Sequence, residues 1–455
     1  MKPNIIIISI DSLRFDRIYG KNKSAVIPNI EKILEKGIVF SQAISSADAT
    51  GLGIGSMFHA KFSFRTGSTQ YKIDSNSLEF IKTLKEKNYN IYATVPNIHF
   101  FKTLVKNFTD YDIYEYFKRE SWVKLVGGIG ESIIKRLEKN EKPWFYYIHL
   151  MDLHAPFYIP EEFDMDEFGK TRYDRMVSSI DFWIGKILEK INLNETLVIF
   201  TSDHGDHIPA IENWGKVIKT NSLVKKSKEK FPFLEPIGLR FIRAYREYKV
   251  KRKINFYKKK LTVRQTQALL GRAQDVLYDE LIHIPLVFYG YGVIEPQVIS
   301  DQVRQVDIFP TFFDLIKLPL PSNQIDGRSL IPLINKESMV ELPAYIETGV
   351  RWVKTAKEII EPRFEGKVIG IRTSNYKYWR SRKNPKNNII LYDLKEDPNE
   401  EKNISNENEY ENIIEEMEKI LDLMINNSIV INQNKFSKDE EDKIADELKR
   451  LGYIN

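Results

Sequence analysis

Two apolar, β-branched runs that each stop at an aspartate constrain this chain more than any other feature. The first is Asn4-Ile-Ile-Ile-Ile-Ser-Ile, closed by Asp11-Ser-Leu-Arg14. The second is Thr196-Leu-Val-Ile-Phe-Thr-Ser, closed by Asp203-His204-Gly205-Asp206. Runs of this kind suit strands buried on both faces of a parallel sheet. In open α/β sheets, ligands bind beyond the carboxyl ends of the strands. Aspartates at those ends are placed for chemistry, and a fold must bring the two together, because residues 12–202 separate them.

The rest of the chain repeats the alternation. Residues 27–36, 77–87, 120–139 and 172–191 have helical patterns. Strands are expected at 89–95, at Trp144-Phe-Tyr-Tyr-Ile-His-Leu150 and at Ile284-Pro-Leu-Val-Phe-Tyr289, and a helix opens at Val306-Asp307. Strand and helix in alternation imply a parallel sheet covered on both faces. The stretch Ser45-Ser-Ala-Asp-Ala-Thr50-Gly-Leu-Gly-Ile-Gly-Ser carries three glycines. It reads as a tight turn with close backbone approach before a helix. From about 340 the pattern changes to short strands at 368–372, 376–380 and 389–394, a smaller antiparallel unit. The tail reads as two helices. The second has Phe436, Ser437, Glu440 and Gly452 as staple, capping box and C-terminal glycine. The expected fold is therefore an α/β/α sandwich: a main α/β unit over 1–340, with an insertion at about 213–272, and a C-terminal subdomain over 341–455.

Composition excludes some chemistry. Among 455 residues there is no cysteine, so disulfides, thiolate metal sites and a cysteine nucleophile are ruled out. No apolar run reaches the length of a membrane span, and the first residues lack a signal-peptide pattern; a cytoplasmic location, peripheral to a membrane at most, is the expectation. Charge is uneven. Residues 216–264 hold 17 Lys/Arg against 3 Glu, a net +14, while the whole chain is +5. Such a block suits an anionic membrane surface or a polyanionic glycan, with nucleic acid the least expected partner; a solvated surface helix pair is the plainer alternative.

The motifs resemble, in order along nearly the whole chain, the sulfatase branch of the alkaline-phosphatase superfamily. Asp11-Ser-Leu-Arg-Phe-Asp16 is similar to its first metal segment and Thr201-Ser-Asp203-His204-Gly205 to its second. Thr50 stands at the position of its nucleophile. Pro96-Asn97-Ile-His99 resembles its Lys-Trp-His segment, and His149-Leu-Met-Asp-Leu-His154-Ala-Pro156 its His-x-Pro segment. Leu277–Leu286, Val306–Thr311, Asp326–Leu330 and Leu391–Pro398 are similar to later signatures. The resemblance implies an alkaline-phosphatase-like fold with a large, mostly parallel sheet and a small C-terminal antiparallel one. It also implies one divalent cation (Ca²⁺, Mg²⁺ or Mn²⁺) on Asp11, Thr50, Asp203 and His204. Thr50 would attack a phosphate or sulfate ester, of a glycan or lipid headgroup, through a covalent intermediate. His154 and His99 would contact the ester or protonate its leaving group. Arg14, Asn97, Lys216 and Arg272 are the candidate contacts to its oxygens.

The chain departs from the pattern at several points. Threonine cannot become the formylglycine of true sulfatases. Leu52, Gly53 and Ile54 replace the proline, serine and arginine that follow the nucleophile, and His59-Ala60 replace a Thr-Gly pair. Ser12 stands for a second aspartate and Asn97 for a lysine. These differences favour a phosphoesterase or phosphotransferase. A genuine sulfatase and a non-catalytic relative that binds an anionic glycan or lipid surface are the alternatives. Ser46 and Ser56 are alternative nucleophiles.

Overall fold

In the computed structural model, residues 2–115, 124–154, 158–209, 255–257, 259–270, 275–321, 324–349 and 368–426 are described, with Tyr248 and Arg252 besides. Strand β1 (Asn4–Ile10) lies at the centre of a nine-stranded sheet. The other strands are β2 (Ile38–Ile44), β3 (Asn90–Pro96), β4 (Asp110–Tyr114), β5 (Trp144–Leu150), β6 (Thr196–Thr201), β7 (His283–Ile284), β8 (Leu286–Gly290) and β9 (Gln297–Arg304). Their order is β4-β3-β5-β1-β6-β8-β2-β7, with β9 on β2. The pairs from β4 through to β6 are parallel, as is β2 with β9, whereas β8 and β7 run antiparallel to their neighbours.

Each apolar run is buried on both faces. Ile5 and Ile7 of β1 pack into one core, and Ile6, Ile8 and Ile10 into the other. One layer holds α1 (Pro28–Lys36), α5 (Gly130–Lys139) and α6 (Arg172–Leu188). The opposite layer holds α2 (Thr50–His59), α3 (Glu79–Glu86), α4 (His99–Val105) and α8 (Ile308–Leu315). Helix α7 (Val263–Leu270) lies in the segment of the basic insertion. Helices cap one another. Asp181 on α6 accepts from the backbone N–H groups of Asn29 and Ile30, at 3.2 and 2.7 Å, and so satisfies donors at the start of α1.

Beyond residue 340, β10 (Ala344–Glu347), β11 (Val368–Arg372), β12 (Tyr376–Ser381) and β13 (Ile390–Asp393) form an antiparallel sheet, against which α9 (Glu411–Asn426) packs. This small sheet joins the main body through buried charge. The Lys377 ammonium lies 2.5 Å from Asp279 and also pairs with Glu400, while Arg372 reaches Asp279 at 2.9 and 3.1 Å. Burial alone would raise the Asp279 carboxyl; Arg372 and Lys377 outweigh it and hold that carboxyl well below the usual range.

Two expectations are corrected. The three glycines at 51, 53 and 55 do not form a turn before a helix; they lie inside α2, whose first residue is Thr50. The close approach is real, because a Cβ at Gly53 would meet the Asp203 carbonyl oxygen at 2.7 Å. The helix expected over 120–139 begins with an irregular turn at Leu125–Ile129 and is regular only from Gly130. The tail helix built on Phe436, Ser437 and Gly452 lies outside the described residues, as does most of the basic block. Among the described residues, no helix is long and apolar enough to cross a membrane.

Lys377 is fully buried. Lys377→Met should leave Glu400 without its nearest cation and Asp279 with Arg372 as its remaining close partner, and cost about 3–5 kcal/mol in a urea unfolding titration. A loss under about 1 kcal/mol would show that the small sheet is held by apolar packing alone.

Candidate metal and nucleophile site

Asp11 and Asp203 follow β1 and β6, which are parallel neighbours, so both reach the same carboxyl edge of the sheet. Both are wholly buried. One oxygen of each carboxylate is anchored. Asp11 Oδ1 accepts from the Ser12 hydroxyl at 2.6 Å, and Asp203 Oδ1 accepts from the backbone N–H groups of His204 and Ser12 at 2.9 and 3.2 Å. Ser12 takes φ +64°, a left-handed conformation uncommon for a residue with a Cβ, and so reaches both carboxylates.

The second oxygens face a common centre. Thr50 Oγ1 donates to Asp11 Oδ2 at 3.1 Å and stands 3.2 Å from His204 Nε2. Asp203 Oδ2 is 3.3 Å from the same His204 nitrogen. The His204 Nδ1–H donates to the Gly205 carbonyl at 2.8 Å, which leaves Nε2 with its lone pair toward the centre. His149, on β5, brings Nε2 to 3.8 Å from Asp11 Oδ2, and its Nδ1 shares a 2.9 Å hydrogen bond with the Tyr147 hydroxyl. His149 Nε2 has no hydrogen-bond partner although it is buried. Donor atoms of Asp11, His149 and Asp203 all lie within 4.8 Å of one another.

Two carboxylates buried side by side need positive charge among them. This set of oxygens and nitrogens fits a divalent cation, and the anchoring of the remote ligand atoms is the support such sites require. Sequence reasoning named Asp11, Asp203, His204 and Thr50 but passed over His149. Its signal was present: it is a polar residue in the otherwise apolar or aromatic run of β5.

Thr50 sits at the N-terminal end of α2, where the helix dipole favours negative charge. The alternatives are placed differently: the Ser46 and Ser56 hydroxyls are buried and make no hydrogen bond. Gln305 locks the frame by donating to the Ser202 and Asp203 carbonyls, each at 3.1 Å, and accepting from Ser45 at 3.1 Å.

The other candidates fall into three groups. Half-buried His154 lies in the turn after β5, its backbone N–H donating to Met151 O at 3.1 Å. Asn97 and His99 lie where β3 gives way to α4, at the same edge of the sheet; the Asn97 amide donates to Glu115. Arg14 is taken up by the fold instead of lying open to an ester. Its guanidinium bonds Asp16 at 2.8 and 2.9 Å and Glu280 at 2.8 Å, and only 6% of the residue is exposed. Lys216 and Arg272 lie outside the described residues.

Glu280 was not anticipated. It binds Arg14, beside the first metal segment, and His207, beside the second, the latter at 2.7 Å. Next to it, Gly205 N–H donates to Leu281 O at 2.8 Å, and a Cβ on Gly205 would meet the Glu280 carbonyl at 2.1 Å. Burial would raise the Glu280 carboxyl, but the His207 and Arg14 contacts prevail and bring it down to about 2. A carboxylate depressed on folding stabilises above its unfolded value near 4.5, and that stability is lost as pH falls toward about 2. The shift corresponds to about 3 kcal/mol at neutral pH. Glu280→Gln should therefore lower stability by an amount of that order at pH 7 and flatten the loss of melting temperature below pH 4.5. An unchanged acid profile would remove Glu280 from this role.

Comparison with known proteins shows the family. The Sulfatase family model matches residues 3–318, and the model for the C-terminal part of N-sulphoglucosamine sulphohydrolase matches 273–427. Arylsulfatase K of Gallus gallus is 29% identical over 163 residues, 35% of this chain and 29% of that protein. The Δ4,5-hexuronate-2-O-sulfatase of Bacteroides thetaiotaomicron is 29% identical over 154 residues, 33% of this chain and 30% of that one. The aligned region thus spans about a third of each relative. Among solved structures, the phosphonate monoester hydrolase of Agrobacterium radiobacter superposes with TM-score 0.66 at 15% identity, over 94% of this chain and 96% of its own. A protein bound to its substrate D-glucosamine-2-N,6-O-disulfate superposes with TM-score 0.64 at 15% identity, over 96% of this chain and all of that one. The chain belongs to the sulfatase family, with an alkaline-phosphatase-like fold.

Proposed function

We propose that this protein is a cation-dependent ester hydrolase or transferase in which the Thr50 hydroxyl is the nucleophile and a phosphate ester is the substrate. The observation that carries the reading is the position of Thr50 Oγ1, 3.1 Å from Asp11 Oδ2 and 3.2 Å from His204 Nε2 at a helix N-terminus. A divalent cation held by Asp11, Asp203, His204 and His149 would supply positive charge to the nucleophilic oxygen and to the oxygens of the ester.

The protein's own groups support the remaining work. With His204 Nε2 turned to the cation, Asp11 Oδ2 is the acceptor at hand for the Thr50 proton. Attack by Oγ1 forms a bond to phosphorus and expels the alcohol, leaving a phosphothreonine intermediate. His154 or His99, each following a strand at this edge of the sheet, supplies the proton to the departing alkoxide. Water, or a second alcohol, then attacks the phosphorus and returns the hydroxyl to Thr50. Unpaired backbone N–H groups in the first turn of α2, where Thr50 sits, would favour the charge that develops on the ester oxygens.

Phosphate is favoured because a chain without cysteine, with threonine at the nucleophile position, cannot make formylglycine. The rival reading is sulfate-ester hydrolysis. It draws on relatives named for sulfated substrates, including a hexuronate 2-O-sulfatase and the neighbour bound to a glucosamine disulfate. Both sets of names favour a sugar hydroxyl as the leaving group.

Turnover of aryl phosphate monoesters, phosphodiesters and aryl sulfates with Mn²⁺, Mg²⁺ or Ca²⁺ distinguishes these readings. A phosphate ester should be cleaved, chelation should abolish activity, and Thr50→Ala should lower kcat/KM by about 10³-fold or more. Thr50→Ser should keep much of the activity. Sulfate turnover that survives Thr50→Ala would overturn the phosphate reading and the nucleophile together.

A further inference from the structure

Lys124 belongs to none of the motifs, yet it is 2% exposed and carries an unusual backbone. Its φ of +40° and ψ of −113° place a residue with a Cβ in a left-handed region. Its ammonium donates to the carbonyls of Met151 and, at 3.3 Å, of His154. The tie is reciprocal: the N–H of Leu125, the next residue, donates to the Asp152 carboxylate at 3.2 Å. One step earlier, Leu150 O accepts from the backbone N–H of Asp11 at 2.8 Å. The turn 151–154 is thus bound on one side to the residue that carries the first metal-facing carboxylate and on the other to Lys124.

We propose that Lys124 is a positioning residue that fixes the His154 turn against the Asp11–Thr50 centre. The inference rests on the reading of His154 as a substrate contact. Two neutral carbonyls could be bridged by an amide or a hydroxyl, and a buried ammonium is a costly way to join two loops. Backbone strain and a buried charge together at the turn that presents His154 are the pattern of a site held to tight geometry. Burial lowers the Lys124 ammonium pKa, opposed by Asp152 and Asp11, and burial pushes the Asp152 carboxyl up to about 6, opposed by Lys124; both groups lie in one desolvated pocket.

The test uses the full chain with Lys124→Met and Lys124→Arg, each alone and combined with His154→Ala. Lys124→Met should reduce kcat/KM by about 10²-fold, the effect of a displacement near 1 Å, while Mn²⁺ binding measured by calorimetry stays within about twofold. Lys124→Arg should fall between it and the parent. In the His154→Ala background, neither substitution should lower activity further, because the lysine acts through that imidazole. A second readout does not need turnover. The His154 ring signals in a proton–nitrogen NMR spectrum, identified by their loss in His154→Ala, should shift in Lys124→Met. Unmoved His154 signals, or full additivity with His154→Ala, would overturn the proposal. If no ester is cleaved by the parent protein, the proposed function fails while the NMR result still decides the role of Lys124. Should Lys124→Met not fold, Lys124→Arg carries both readouts.

Discussion

Two carboxylates buried at the ends of neighbouring parallel strands dominate this structure. Asp11 and Asp203 have no exposed surface, and ionised groups in such a place are tolerated only when fixed donors and positive charge surround them. Much of the local architecture follows from that demand. Ser12 adopts a left-handed conformation to serve both carboxylates, His204 turns its Nδ1–H to a carbonyl so that Nε2 faces inward, and Gln305 holds the loop behind Asp203. The glycine at 53 lets α2 approach the Asp203 carbonyl closely enough to bring Thr50 to the centre.

A second layer of charge surrounds this centre. Glu280 joins the loops after β1 and β6 through Arg14 and His207, and Lys377 joins the small antiparallel sheet to the segment that carries Asp279 and Glu280. The small antiparallel sheet is therefore connected through paired charges to the loops that carry Asp11 and Asp203. Breaking one member of such a chain leaves the other buried and unpaired, which is why these residues matter more than their distance from Thr50 implies.

The alternating strands and helices were legible because both faces of β1, β5 and β6 are apolar, and the periodicity records this directly. Strands β4, β9 and β10 were not anticipated; β4 has no buried residue, β9 mixes exposed and buried positions without a regular period, and both carry charge, so their sequences resemble loops. The glycines of α2 misled for a physical reason: glycine usually marks a turn, but here a helix is pressed against a neighbouring backbone and has no room for side chains. The partners of Arg14 were also invisible in the sequence. An arginine next to a metal segment suggests an anion contact, whereas Asp16 and Glu280 occupy its donors.

The chain by itself determined the fold class, the two strand-end aspartates, the hydroxyl at position 50 and the absence of any thiol, because each depends on local residue type and period. Only the tertiary structure decided that His149 joins the centre, that Glu280 ties the loops after β1 and β6, and that Lys124 grips the His154 turn. These contacts link segments 27 to 266 residues apart, and their geometry is set by how strands and loops pack at one edge of the sheet. Spacing along the sequence carries no record of that packing.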